Sequence, residues 1–345
     1  MGKKYFIYIL FLMYGCTARV EDVKAPPPQS GAFKQFVTAE NLFGVESYGK
    51  DNAWVVGFEA TIFHTGDGGQ TWELQQSPIK EDLNDVSFIN DKTGWIVGKR
   101  GTILHTTDGG KQWLKQDSHT DKRLFAAHFV DQNQGWAVGT WSTILHTDDG
   151  GKTWINQGSG KDRYYSDVFF IDSQRGWIVG EYGYILHTEN GGNDWIQQEC
   201  KEIIPEEPKD DFASPIPHLY GVCFTSSENG YIAGMDGIIL QTADGGKTWK
   251  RLRTGTFYSL YKVAVAEETI WAIGESGLCL VSHNEGATWR QQDLRTRFWL
   301  SDIVFKNKQD GWIIGGLGTI LKTSDSGKDW KMVSGISIKQ EKGLF

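Results

Sequence analysis

The sequence predicts an all-β fold: a single seven-bladed β-propeller whose blades are four-stranded and antiparallel. Three observations carry the prediction. One tryptophan recurs seven times, at Trp72, Trp113, Trp154, Trp195, Trp249, Trp289 and Trp330, in steps of 41, 41, 41, 54, 40 and 41 residues. Each of these closes a similar polar, glycine-containing turn. Ahead of each turn lie three short apolar runs bounded by glycines. A fixed period of this size marks a repeat array, and four short strands per period make one propeller blade. The 345 residues alone would suggest about two domains, but one ring of repeats accounts for this length.

The turn reads Asp67-Gly68-Gly69-Gln70-Thr71-Trp72 in the first repeat, and Asp108, Asp149 and Asp244 open close copies of it. Asn190, Asn284 and Asp325 hold the same position in the other three. This is the Asp-box, or BNR repeat. Asp or Asn can bond backbone two residues on, and Gly supplies positive φ. The Trp then packs its apolar body under the turn. A calcium-binding or catalytic reading of these aspartates would need seven identical sites in one chain, so the turn reads as structural.

Blade two shows the strands clearly: Leu83 to Ile89, Gly94 to Gly98 and Thr102 to Thr106, with the fourth starting at Trp113. A Gly-Trp-x-x-Gly second strand recurs at Trp136, Trp177 and Trp312, with Tyr231 in one copy; Trp54 and Trp271 keep the aromatic without the leading Gly. The propeller is expected over 33–335, with a short tail at 336–345. Phe33 to Thr38 could pair with the last blade to close the ring, although Trp330 to Val333 already supplies a fourth strand there. The one long step holds an insertion at about 200–217, rich in Pro and acidic residues and expected as a surface excursion. Closure into a circle removes long free edges, and a monomer is expected.

Residues 1–16 read as an export signal. Lys3 and Lys4 precede an apolar run from Tyr5 to Tyr14, too short to span a bilayer. Gly15-Cys16 follows directly, a placement similar to bacterial lipoprotein signals in which the Cys is lipidated. Ordinary cleavage and an uncleaved anchor are the alternatives. Residues 17–32, with Pro26-Pro27-Pro28, suit a flexible tether. The protein is thus expected to be exported and held at the cell envelope, on the outer membrane or a periplasmic face. Cys200, Cys223 and Cys279 form neither a disulfide framework nor a zinc spacing; a Cys200–Cys223 bridge stays open. The net charge of −8 disfavours nucleic acid, and no cofactor or metal motif is present.

The seven-fold Asp-box pattern, with its Gly-Trp-x-x-Gly and Gly-Thr-Ile-Leu-x-Thr strands, resembles the photosystem II stability/assembly factor family over Phe33 to Ser334. The resemblance implies a non-enzymatic scaffold that holds a membrane-protein precursor on an arginine-lined surface. In a four-stranded blade the second-to-third loops and the blade-to-blade connections emerge on one face. That face is expected to collect Arg100, Trp141 and Tyr182 from loops, and Arg123, Arg163, Tyr164, Tyr165, Tyr258, Arg295, Arg297 and Trp299 from connections. Five of the ten arginines fall there, and Arg with aromatics is the composition of binding hot spots. The bland reading is a solvated rim whose aromatics plug the ring.

Weaker candidates remain. His64, His105, His146 and His187 share one strand position in four successive blades, which suits local or inter-blade hydrogen bonds better than a converging metal site. Glu59, Glu181 and Glu275 lie in second-to-third loops, where a carboxylate pair could act on a glycosidic bond. Two function classes follow. The first is a protein-binding or assembly module whose partner is membrane-associated and presents an acidic or carboxylate-bearing segment. The second is a glycan-binding or glycoside hydrolase propeller of sialidase or endoglucanase type. The sequence lacks the Arg-Ile-Pro motif of sialidases and the second propeller of the endoglucanases, which favours the binding class.

Overall fold

In the computed structural model of this chain, residues 38–203, 216–305 and 307–335 are described. The signal with Cys16, the tether, the tail at 336–345 and most of the insertion lie outside the described residues.

Among the described residues the strands form seven four-stranded sheets, each built from consecutive strands in simple antiparallel order. The second blade comprises Leu83–Phe88, Gly94–Gly98, Ile103–Thr106 and Leu114–Gln116. The first strands of the blades are Leu42–Tyr48, Leu83–Phe88, Leu124–Phe129, Tyr165–Phe170, Leu219–Phe224, Leu260–Ala266 and Leu300–Phe305. Each touches the first strand of the next blade, and the seventh touches the first, so the ring is closed. Together they line a central channel. A register shift follows the first residue of every one of these pairings, as between Leu83 and Asp85. Such a bulge bends the strand and re-aims the next side chains.

The Asp-box closes the third-to-fourth hairpin as its residue types require. In the first copy Asp67 Oδ1 accepts from Thr71 N–H at 2.9 Å and from the Thr65 hydroxyl at 2.9 Å, while Thr65 Oγ1 accepts from Gly69 N–H at 2.8 Å. The glycines are needed: Gly151 has φ +85, and a Cβ there would lie 2.0 Å from Gln116 Oε1. Gln116 belongs to the preceding blade, and its side-chain amide donates to Gly150 O at 2.9 Å. The box therefore also joins neighbouring blades.

Tryptophans complete that joint. Trp95 Nε1 donates to Gly150 O of the next blade at 3.1 Å, and Trp54, Trp136 and Trp177 repeat the bond. The same indoles stack face to face on a Phe at the end of the next blade's first strand, as Trp136 does on Phe170 with centroids 3.5 Å apart. The box Trp closes the group edge-on, Trp195 lying 5.9 Å from Phe170. These aromatics are the core between blades, and they account for all of the 15 tryptophans except Trp141 and Trp299.

The expected pairing of Phe33 to Thr38 with the last blade falls, Thr38 apart, outside the described residues. The fourth strand of the last blade is Lys331–Ser334, from the C-terminal side. Thr38 N–H donates to Ser334 Oγ at 3.1 Å, Gly318 N–H to Glu40 O at 2.8 Å and Lys322 Nζ to Gly68 O at 2.6 Å.

Candidate partner-binding face

The loops sort onto two faces as the topology requires. Second-to-third turns bond the connections that lead into first strands: Lys99 N to Asp82 O, Gly101 N to Lys122 O and Ser142 N to Arg163 O. The Asp-box turns bond the first-to-second turns instead, as Gly109 N does to Lys92 O and Gly150 N to Asn133 O. Apart from Tyr165, the arginines and aromatics singled out from sequence thus lie on one side of the ring, in seven turns and connections.

Their environments differ. Arg295 and Arg297 are exposed and alternate with buried Leu294 and Thr296. Asp293 Oδ1 accepts from Arg295 N–H at 2.8 Å and holds Arg295 in a left-handed turn with φ 56. Arg100 is 75% exposed and lies 3.9 Å from Glu81. Arg123 is tied down, donating to Asn84 Oδ1 at 2.8 Å and lying over Phe125. Arg163 lies over the Tyr182 and Tyr184 rings, 5.4 Å from each centroid. Trp141, Tyr182 and Tyr258 are exposed, and Phe257 beside Tyr258 is the most open, at 89%. Trp299 is half-buried and stacks on Phe43 across the closing seam. Tyr164 is half-buried beside Phe125.

Tyr165 is a correction. It is 4% exposed and packs among Ala126, Val138 and Ile178. Strand parity decides this: Tyr165 opens an inner strand and takes the core-facing position that Leu83 and Leu124 take in blades two and three, leaving Tyr164 outside.

The other candidates find local roles. His64, His105, His146 and His187 each stack on the cross-strand Trp of their own blade, with centroids 4.8 to 4.9 Å apart. Among the described residues no three His, Cys, Asp or Glu side chains converge as metal ligands. Glu181 and Glu275 accept backbone N–H groups from Tyr164 and Ser259, so both pin loops; Glu59 sits in blade one, apart from both. Cys200, Cys223 and Cys279 are free thiols, so the open Cys200–Cys223 pairing is not made. Cys200 and Ile203 are buried in the core between blades four and five, so the insertion begins as part of that core.

Sequence reasoning missed the channel. The third residues of the seven first strands are Gly44, Asp85, Ala126, Asp167, Gly221, Lys262 and Asp302. The three aspartates each reach the neighbouring blade: Asp85 accepts from Ala127 N–H, Asp167 from Val222 N–H and Asp302 from Val45 N–H, all at 2.9 Å. Those neighbours carry Ala126, Gly221 and Gly44 at the matching position, which leaves room for the carboxylate. Lys262, in the one blade left over, passes Gly221 and donates to Asp167 Oδ2 at 2.8 Å.

The ring and its decorated face define a class, the single-ring Asp-box propellers. The family model described as photosynthesis system II assembly factor Ycf48 matches residues 32–117, 112–215, 212–299 and 287–343, and the chain belongs to that family. A curated relative, the photosystem II assembly lipoprotein Ycf48 of Synechococcus sp. (strain CC9902), is 26% identical over 118 residues; the match covers 32% of this chain and 35% of that protein, about a third of its length. A solved structure of Ycf48 bound to a D1 peptide is 24% identical, with a TM-score of 0.68, covering 84% of this chain and 95% of the other. Ycf48 from Cyanidioschyzon merolae is 20% identical, with the same TM-score, covering 84% and 97%. A GH74 xyloglucanase from Xanthomonas campestris, 10% identical with a TM-score of 0.69, covers 89% of this chain and matches 56% of that one. At these identities the solved structures share the fold.

Proposed function

We propose that this protein is a non-enzymatic binding or assembly factor of the cell envelope. On this reading it holds an acidic or carboxylate-bearing segment of a protein partner on its arginine and aromatic face. The observation that carries the reading is the exposed pair Arg295 and Arg297, set by Leu294 and Thr296 at the edge of a face that also presents Trp141, Tyr182, Phe257 and Tyr258. A guanidinium fork makes two charge-assisted bonds to a carboxylate at once, and aromatics supply a desolvated centre. Membership of an assembly-factor family supports a protein partner, as does the D1 peptide bound by the Ycf48 relative.

Lipidation at Cys16 would confine the protein to a membrane surface and raise the effective concentration of a membrane-bound partner. Thr38 lies beside the Gly318 turn, on the same side of the ring as the arginines. Cys16→Ser is expected to move the protein to the soluble envelope fraction. A wild type that is already soluble would end the anchoring proposal.

The double variant Arg295→Glu/Arg297→Glu tests the face. It is expected to lose the partner in co-purification from native membranes while its thermal unfolding matches wild type. Partner retention by that variant would rule this surface out.

A further inference from the structure

We propose that the channel cluster of Asp85, Asp167, Lys262 and Asp302 is a proton-binding site, which holds a proton among its carboxylates at neutral pH and gives it up to solvent as the pH rises. The geometry is a count of charges in one place. Three carboxylates and one ammonium share one register position around a cavity of about 250 Å³. Lys262 is bonded to Asp167, at 2.8 Å. Asp85 accepts from Val86 and Ala127 N–H, and Asp302 from Ile303 and Val45 N–H. Amide dipoles favour a carboxylate, but they carry no net charge to offset two further anions facing the same channel.

Among the described residues no Lys or Arg other than Lys262 lines the channel. The other titratable channel-lining side chains are Glu46, His128 and Cys223. Glu59 lies in the turn that touches the strand of Asp85. Arg123, on the outer face, is bonded to Asn84. Lys262 is 26% exposed toward the channel, so water reaches its edge, yet protein surrounds the cluster. Like charges that share a desolvated site cannot all ionise without cost, and one of them keeps its proton. In line with this, burial first, with Asp302 and Asp167 adding to it against the attraction of Lys262, pushes Asp85 up to about 8. Burial pushes Asp302 up to about 6, and its carboxylate neighbours hold Lys262 protonated well above the usual range.

The sign of the linkage follows. An Asp with a raised folded pKa favours the native state at low pH, and this contribution is lost as the pH rises through the folded value. Thermal unfolding followed from pH 6.5 to 9 in wild type and in Asp85→Ala tests the proposal; alanine is what blade three carries there, at Ala126. Histidine and thiol contributions are common to both proteins and cancel in the difference. Wild type is expected to lose stability relative to the variant between pH 6.5 and 8.5, with a slope equivalent to roughly one proton released on unfolding, and the two curves should run parallel at pH 9. Infrared spectroscopy of wild type provides an arm that does not depend on the variant folding. It should show a protonated carboxyl band at pH 6.5 that vanishes by pH 9. Parallel curves throughout, or no such band at pH 6.5, would overturn the proposal.

Discussion

At the scale of single residues, the same side chain type does different work according to what it faces. Trp95 illustrates the legible part. Its repeat spacing announces a core position, and the structure adds the Gly150 carbonyl, the Phe129 ring and the His105 ring as its partners. The histidines were visible as a repeated position but not as stacking partners, because cross-strand pairing appears only once register is known. Burial pushes the imidazoles of His105, His146, His187 and His218 below their ordinary value. A base with a lowered folded pKa stabilises the native state above its unfolded value of about 6.5 and stops doing so as the pH falls through the folded one. Asp85 and Asp302 act with the opposite sign over part of that range. His105→Phe keeps the stack on Trp95 and removes one titration; His105 Nε2 has no hydrogen-bond partner to lose. The variant is expected to match wild type in melting temperature at pH 7.5 and to exceed it at pH 5. An equal loss at both values would show that His105 is bonded rather than merely stacked.

At the scale of elements, the second blade was legible to within a residue or two; Leu83 to Ile89 was expected and Leu83–Phe88 is found. What stayed hidden is where an insertion stops being loop. Nothing in the run from Cys200 to Pro217 marks its first residues as core, yet Ile203 is buried with Leu219 and Phe224, and Glu202 Oε2 accepts from Arg251 N–H at 2.8 Å. The axial aspartates were hidden for a related reason: four residues spread over 218 positions become neighbours only when seven strands are wrapped round one axis. Chemical denaturation separates the two parts of the insertion. Ile203→Ala is expected to cost about 2–5 kcal/mol, as for a large-to-small change in a core. Replacing 204–215 by a short Gly-Ser linker should leave stability nearly unchanged, because loops tolerate shortening. Similar losses from both changes would place the whole insertion in the core.

At the scale of the whole molecule, the seam that closes the ring keeps the axial clamp and an edge-on aromatic pair, Trp72 on Trp312, in place of the Trp–Phe stack, with a few additions of its own. Among the described residues no blade borrows a strand from the far end of the chain. Asp302 reaches Val45 as Asp85 reaches Ala127, and Ser301 Oγ donates to Leu42 O at 2.9 Å. The additions are Lys322, which lies over Trp312 and donates to Gly68 O, and the bond from Thr38 N–H to Ser334 Oγ at 3.1 Å. That last contact puts the two ends of the ring side by side. The position of the chain break should therefore be interchangeable among the blade-to-blade connections. A circular permutant that begins at Ile216, joins Gly335 to Thr38 through a short linker and ends at Ile203 would move the break to the seam between blades four and five. It is expected to fold to the same ring, with the far-ultraviolet and near-ultraviolet dichroism of wild type, and to unfold in one transition at a comparable temperature. If the native break at the seventh blade were special, as it is in propellers closed by an exchanged strand, the permutant would instead melt in two steps or fail to fold. The expected result would show that closure comes from the packing across each seam and the axial clamps rather than from the chain ends.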